Sequence, residues 1–265
     1  MPDVGFDTAA NRAIEQMKGM SFLEHLEELR RRIIKALIAC AVGFAVCWYY
    51  AERIFGYMQA PIMDALKRNH LDTHLVYLNP TEPFNLYLKV GLIAGLFLAS
   101  PFILYQVWAF IAPGLYRHEK RYVLPFMFFT VALFLAGGYF AYRAVYPAAL
   151  DFLISYGRQF QPMITIAEYT NLFLVITLGM GLIFEMPVLV FFLALMGVVS
   201  AGWMWKNLRY SILGITIVAA IITPTTDIMN MVIFATPMVA LYLVSILIAW
   251  LVHPKRREAK AKLKA

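Results

Sequence analysis

Three acidic residues occupy positions where a carboxylate needs a chemical reason: Glu28, Glu119 and Glu185. Glu185 is the most unusual, because it lies at the centre of the apolar run GMGLIFEMPVLVFF. If that run crosses a bilayer, an ionised side chain at its centre costs about 3 kcal/mol or more unless it is protonated or meets a polar partner. Glu185 is therefore a candidate functional residue. The structural alternative is a protonated glutamate that satisfies the backbone carbonyl freed by Pro187.

Glu119 lies among four basic or potentially basic residues in the short segment PGLYRHEKR. Exposed ion pairs contribute at most about 1 kcal/mol each, so stability is a weak reason for this acid. A carboxylate can also accept two parallel N–H bonds from one guanidinium group. The segment either neutralises its own cations or receives a cationic ligand, and its composition leaves both possibilities open.

Glu28 and Arg30 belong to the segment SFLEHLEELRRRI, which begins with Ser21 and Glu24 at capping-box spacing. Its apolar residues recur at intervals of three and four, and Glu28 with Arg32 forms an i,i+4 pair. The pattern predicts an amphipathic helix along the membrane surface that leads into a first span. It is either a solvated anchor or a docking surface for a charged partner.

No motif for hydrolysis or for a cofactor accompanies these acids. The sequence lacks G-x-x-x-x-G-K-[ST], H-E-x-x-H and G-x-S-x-G. His70, Asp72 and His74 are a weak metal-site candidate, since no cysteine or acidic cluster accompanies them. We therefore expect neither catalysis nor a metal nor a cofactor.

The elements that must position these residues are membrane helices. Of the 265 residues, 62% are hydrophobic and only 15% are charged, with a mean hydropathy of +0.68. Soluble domains carry about 25% charged residues. The net charge of +7 does not indicate a nucleic-acid partner, because the basic residues sit between apolar runs. The composition predicts a polytopic membrane protein.

Six apolar runs are long enough to be considered as spans, and they lack the alternating pattern of barrel strands. We expect a single all-α transmembrane domain over residues 21–252, between a tail at 1–20 and a basic tail at 253–265. The expected spans cover residues 33–50, 88–112, 122–142, 171–199, 208–222 and 228–252.

The Lys and Arg residues divide unequally between the two ends of these runs. Six lie before or at the start of the first run, three lie in the second connection, two lie at the fourth connection and six follow the last run. Only six are on the other side, although that side contains the longest connection. The positive-inside rule therefore predicts that both termini are cytoplasmic.

Five sequence motifs together resemble the TatC family, the multispanning core of the twin-arginine protein translocase. They occur in family order and extend the resemblance over nearly the whole chain. The motifs are HLEELRRRI (25–33), QAPI (59–62), SPFILYQVWAFIAPGLYRHEKR (100–121), FEMPV (184–188) and TPTTD (223–227).

The resemblance implies a cup-shaped bundle of six helices in the bacterial inner membrane. It also implies recognition of folded precursor proteins through signal peptides that carry two consecutive arginines. The implied partners are the single-span proteins TatA and TatB, other copies of the chain and the lipid bilayer, with transport driven by the protonmotive force.

The resemblance places signal-peptide binding at four residues: Glu28, Arg30, Phe110 and Glu119. Two carboxylates suit a pair of guanidinium groups, because each can take two parallel N–H bonds. Phe110 would pack beside the apolar part of the signal.

Three further positions match the family outside that patch. Pro61 lies in the first outer loop, which shapes the wall of the cavity, and Glu185 is expected to meet a polar residue of a TatA or TatB helix. Asp227 follows the fifth span, but Asn230 and Met231 stand where many members have Ser-Gln.

A proton-coupled secondary transporter that uses Glu185 is the alternative suggested by composition. Such transporters often contain two related halves with matched broken helices. No internal repeat of that kind is visible in this sequence.

Overall fold

The computed structural model describes residues 22–111, 123–157, 159–160, 162–223 and 227–252. Within these residues the secondary structure is helical, and the β pairing is an isolated parallel bridge between Val76 and Thr165. In chain order the helices are α1 (Phe22–Tyr49), α2 (Ala51–Met58), α3 (Ala60–Arg68), α4 (Glu82–Ile111), α5 (Val123–Phe140), α6 (Tyr146–Tyr156), α7 (Ile166–Ile183), α8 (Met186–Leu195), α9 (Ala201–Lys206), α10 (Leu208–Ile222) and α11 (Ile228–Val252). A π-helical turn, Ala141–Val145, joins α5 to α6.

Five helical stretches in the described part of the chain are long and apolar enough to cross a membrane. They are Glu24–Tyr49, Glu82–Phe110, Phe126–Tyr156, Ile166–Leu195 and Ile228–Leu251. The sixth apolar helix, α10, has 15 residues. Its length of about 22 Å is less than a hydrocarbon core of about 30 Å. An all-helical, multispanning fold is confirmed, whereas a sixth crossing stays a prediction.

Two helices extend beyond the expected runs. The amphipathic segment and the first span form one unbroken helix, α1, instead of a surface helix followed by a span. The third run, expected to end near residue 142, continues through the π-helical turn as far as Tyr156. Both extensions follow from helix-compatible residues at the run ends, where hydropathy alone sets no boundary. The capping residue Ser21 and both tails lie outside the described residues.

The fourth apolar run is broken just before Pro187, the residue expected to leave a backbone carbonyl free. α7 ends at Ile183 and α8 begins at Met186, with Pro187 in the first turn of α8. Proline has no N–H group to donate to the carbonyl of Ile183, so the α-helical ladder is interrupted there. The backbone carbonyl of Glu185 accepts from Val188 N at 3.1 Å, which starts the next helix.

The tightest helix pair is α1 with α4, which pack antiparallel at two glycines. A Cβ atom added at Gly95 would lie 2.5 Å from the backbone N of Phe44, and one added at Gly43 would lie 2.5 Å from the carbonyl oxygen of Gly95. Small residues of this kind let two membrane helices approach to backbone contact. This contact sets the register of α1 against α4 along their whole length.

Residues 51–81 fold as a cap over one end of the bundle, which we call the cap end. The hydroxyl of Tyr142 donates to the carbonyl of Tyr57 at 2.9 Å, and the hydroxyl of Tyr169 donates to the carbonyl of Met58. Arg68 and Asp151 form an ion pair at 3.0 Å. Polar contacts with the π-helical turn, α6 and α7 therefore hold the cap in place around a buried apolar core.

Candidate functional site

The end of the bundle opposite the cap brings together predicted site residues from two helices. The rings of His25 in α1 and Phe110 in α4 stack with centroids 4.4 Å apart and an interplanar angle of 19°. One turn further along, Arg32 Nη2 donates to Glu28 Oε1 at 2.9 Å and Arg32 Nη1 donates to Gln106 Oε1 at 3.3 Å. We call these five residues the α1/α4 surface.

The Glu28–Arg32 pair is more shielded than an ordinary surface ion pair. The exposed fractions of the two side chains are 13% for Glu28 and 20% for Arg32. Partial burial strengthens a charge-assisted contact and fixes its geometry. The expected i,i+4 pairing of these residues is confirmed, and Gln106 holds it against α4.

Arg30 lies on a different part of the same helix. Its side chain is exposed and lines a shallow groove along α1 together with Glu27 and Glu28. Glu28 is therefore common to this groove and to the α1/α4 surface. Glu119 lies outside the described residues, so the structure gives no distance between Glu119 and Glu28.

His25 and Gln106 are site residues that the sequence reasoning did not single out. Gln106 did carry a signal, because it is polar within the apolar stretch SPFILYQVWAF. His25 lies in the HLEELRRRI motif. Neither position reveals its partner, because His25 and Phe110 meet only after α1 and α4 have packed.

Glu185 lies at the break between α7 and α8 and is partly buried. Its Oε1 atom is buried without a hydrogen-bond partner among the described residues. The adjacent residues Ile183 and Met186 line an almost wholly apolar groove of about 830 Å³ that α10 and α11 complete. An acceptor without a partner among the described residues thus lies at a helix break whose neighbouring residues line a groove able to hold apolar side chains.

The two remaining predicted positions have clear structural roles. Pro61 is buried in the first turn of α3 within the cap. Asp227 precedes α11 and accepts hydrogen bonds from the backbone N of Asn230 at 2.7 Å and from its side chain at 3.0 Å. Asn230 therefore completes the N-terminal cap of α11.

No group of three or more potential metal ligands forms within the described residues. His74 Nε2 lies 3.8 Å from Asp72 Oδ1, and both side chains are more than four-fifths exposed.

The arrangement at the α1/α4 surface is suited to binding a ligand that has both a charged part and an apolar part.

A family model described as TatC, Sec-independent protein translocase protein, matches residues 24–237. The chain is 67% identical over 262 residues to the Sec-independent protein translocase protein TatC of Koribacter versatilis, an alignment that covers 98% of this chain and 97% of the relative. It is 38% identical to the protein of the same name from Carboxydothermus hydrogenoformans, over 92% of this chain and 99% of the relative.

A solved structure gives the same result for the fold. The crystal structure of a twin arginine translocase receptor, TatC, superposes with a TM-score of 0.76 at 35% identity and covers 85% of this chain and 98% of that one. Sequence and fold agree over most of the length. The chain belongs to the TatC family of Sec-independent protein translocase proteins.

Proposed function

We propose that this chain is the receptor subunit of the translocase and binds the twin-arginine signal peptides of folded precursor proteins. The observation that carries this proposal is the α1/α4 surface, where the shielded carboxylate of Glu28 lies one helical turn from His25, on which the Phe110 ring of α4 stacks. A signal peptide of this class offers matching chemistry, since it has two guanidinium groups followed by an apolar stretch.

The proposed binding step is an exchange of guanidinium groups at Glu28. Arg32 occupies Glu28 Oε1 in the structure, and an arginine of the signal would displace it and take both carboxylate oxygens. The second signal arginine would bind Glu119. Lysine lacks the planar fork, so a Lys-Lys signal would bind less well.

Phe110 and Arg30 complete the proposed site. Phe110, stacked on His25, would pack against the apolar stretch of the signal once the charged pair is bound. Arg30 is exposed beside Glu27 and would contact the same peptide from the other side of α1. Both roles follow from family resemblance together with position.

We propose six crossings of the bacterial inner membrane, with α10 as the sixth spanning helix and both termini cytoplasmic. The excess of Lys and Arg before and within the N-terminal part of α1, after α4, around α9 and after α11 supports this orientation. Residues 21–252 would then form a single cup-shaped domain between two cytoplasmic tails.

Glu185 is the proposed contact for the single-span helices of TatA and TatB. A polar side chain of a partner helix lying in the adjacent groove would give Glu185 Oε1 the hydrogen bond it lacks, worth about 1 kcal/mol. Pro61 would shape the outer wall and Asp227 would start α11, so both act structurally. The proposed assembly also contains further copies of this chain.

The energy source in this proposal is the protonmotive force. The sequence has no nucleotide-binding motif, so the chain itself has no recognisable means of hydrolysing a nucleotide. The alternative function is proton-coupled secondary transport through Glu185. The family to which the chain belongs consists of translocase proteins, which favours the translocase role over this alternative.

Complementation tests the proposal. The chain is expressed in bacteria that lack their own TatC, with a folded reporter that carries an Arg-Arg signal. We expect export of this reporter and at least a tenfold lower export of a matched Lys-Lys reporter. Equal export of the two reporters, or no export when the chain is present in the membrane, contradicts the receptor role.

A further inference from the structure

A second groove, of about 790 Å³, lies at the cap end between α3, α6 and α7, and we call it the cap groove. Its rim carries Arg68, His70 and Glu168. Its wall includes the apolar side chains of Leu153, Leu172 and Val175. Its volume is within the range of about 300–1,000 Å³ that is typical of small-molecule sites. The receptor role proposed above does not use this groove.

The cap groove extends from polar residues at the end of α3 along two apolar stretches that are long enough to cross a membrane. Its wall residues belong to the apolar stretches Phe126–Tyr156 and Ile166–Leu195. Glu168 and Val175 are seven residues apart on α7, which corresponds to about 10 Å along the helix. Phe160, with 67% of its surface exposed, lies at the mouth, where aromatic rings favour the headgroup layer. A ligand that fills the groove must therefore be polar at one end and apolar at the other.

The rim carries charges of both signs. Arg68 uses Nη2 for Asp151 and has other N–H groups that can donate to a phosphate beside His70. Glu168 is exposed in the first turn of α7, where Thr165 Oγ1 accepts from its backbone N at 3.1 Å. Its carboxylate can accept from an ammonium group. The rim is complementary to a headgroup that combines a phosphate with a primary amine.

A net anionic headgroup fits this rim less well. Its phosphate could bind Arg68, but it would bring no cation to Glu168. The Glu168 carboxylate would then face a negatively charged headgroup without a cation between them. This repulsion would select against anionic lipids.

We propose that the cap groove binds one molecule of phosphatidylethanolamine from the adjacent leaflet. Its phosphate lies at Arg68 and His70, its ammonium group lies at Glu168, and an acyl chain follows the apolar wall down to Val175. The lipid then fills the gap between the cap and the spans that α3, α6 and α7 leave open.

Native mass spectrometry of the purified full chain tests this site. The protein is titrated in detergent with dioleoyl phosphatidylethanolamine or dioleoyl phosphatidylglycerol at equal concentrations. We expect one phosphatidylethanolamine adduct, with at least fivefold higher occupancy than phosphatidylglycerol. Glu168→Gln should reduce this ratio to near one. Glu52→Gln, which removes an exposed acid of α2 outside the groove, should leave the ratio unchanged.

Blocking the wall gives a second, independent measurement. Leu172→Trp should lower the occupancy of both lipids at least fivefold, whereas Val42→Trp on the exposed face of α1 should lower neither. Equal retention of the two lipids by the unmodified chain overturns the proposal. So does an unchanged preference in Glu168→Gln, which removes no apolar contact and decides the case if Leu172→Trp does not fold.

Discussion

At the scale of single residues, Glu28 differs from most exposed acids because its ion pair is anchored across two helices. Arg32 contacts Glu28 at 2.9 Å and Gln106 at 3.3 Å, so the pair keeps its position on α4. The Glu28 side chain is only 13% exposed, so its carboxylate is restricted by packing, and binding a guanidinium group there costs less conformational entropy than at a mobile side chain. Glu119, which follows α4 in the sequence, would provide the second acceptor.

Replacing either acid should abolish crosslinking to a twin-arginine precursor while membrane insertion continues. A hydrogen bond to a charged group contributes about 1.5–3 kcal/mol, so Glu28→Gln or Glu119→Ala should weaken binding by about 10- to 100-fold. Site-specific photocrosslinking to the precursor measures this effect. Glu52→Gln, at the cap end, is the matched control. Undiminished crosslinking in both variants would exclude the proposed roles.

Glu185 should act on partner helices more than on precursors. Glu185→Ala removes the acceptor at the break between α7 and α8, so we expect weaker co-purification of TatB and TatA. Because an interhelical hydrogen bond contributes about 1 kcal/mol, the loss should be about fivefold. Quantitative immunoblotting of the purified complex measures it. Precursor crosslinking should change less, and unchanged co-purification would refute this division of labour.

At the scale of helices, the α1/α4 contact positions the candidate binding surface. Gly43 and Gly95 meet at the middle of this pair, and Trp48 lies over Gly91 one to two turns away. The same antiparallel register places Arg32 beside Gln106 and His25 beside Phe110. A change in the middle of the pair therefore alters the geometry at its end.

Gly95→Ala should destabilise the protein although alanine is the better helix former. The added Cβ would meet the backbone of Phe44 at 2.5 Å, and such overpacking costs about 1–3 kcal/mol. Gly56→Ala in α2 is the control, since a Cβ there meets nothing within 4 Å. Thermal unfolding of the purified variants should show a lower Tm for Gly95→Ala only. Equal Tm values would mean that the helices can separate at little cost.

Local capping explains why α11 begins where it does. Asp227 accepts from both the backbone and the side chain of Asn230, which satisfies a donor that the helix itself cannot satisfy. The contact between Asp227 and Asn230 therefore fixes the start of α11 at Ile228.

At the scale of the whole molecule, the two ends of the bundle differ in kind. The cap end is closed by contacts of Tyr142, Tyr169 and Arg68. The opposite end presents the α1/α4 surface at the junction of two helices. The short helix α10 completes the apolar groove beside Glu185, and its length of about 22 Å would allow thinning of the bilayer beside it.

Cysteine accessibility should establish the proposed orientation. In a background of Cys40→Ser and Cys47→Ser, His74→Cys should react with a membrane-impermeant maleimide in intact spheroplasts. Gly202→Cys in α9 should react only after lysis, because the positive-inside rule places α9 in the cytoplasm. Both positions are exposed, so reactivity reports the side of the membrane. The reverse labelling pattern would invert the topology.

The helices, the break at Pro187 and the family membership could all be predicted from the sequence, because each depends on residues that are close in the chain. Lipid requires backbone hydrogen bonds to be satisfied within each helix, so apolar runs predict helices directly. The HLEELRRRI and FEMPV motifs mark the candidate acids without any knowledge of the fold.

Only the tertiary structure decided which side chains meet. The stacking of His25 on Phe110, the contact of Arg32 with Gln106 and the cap groove depend on register between helices distant in sequence. Periodicity identifies the faces of a helix, but many registers bury the same faces equally well. Backbone contact at Gly43 and Gly95 selects one of them, and van der Waals packing, which falls steeply with distance, is the physical reason.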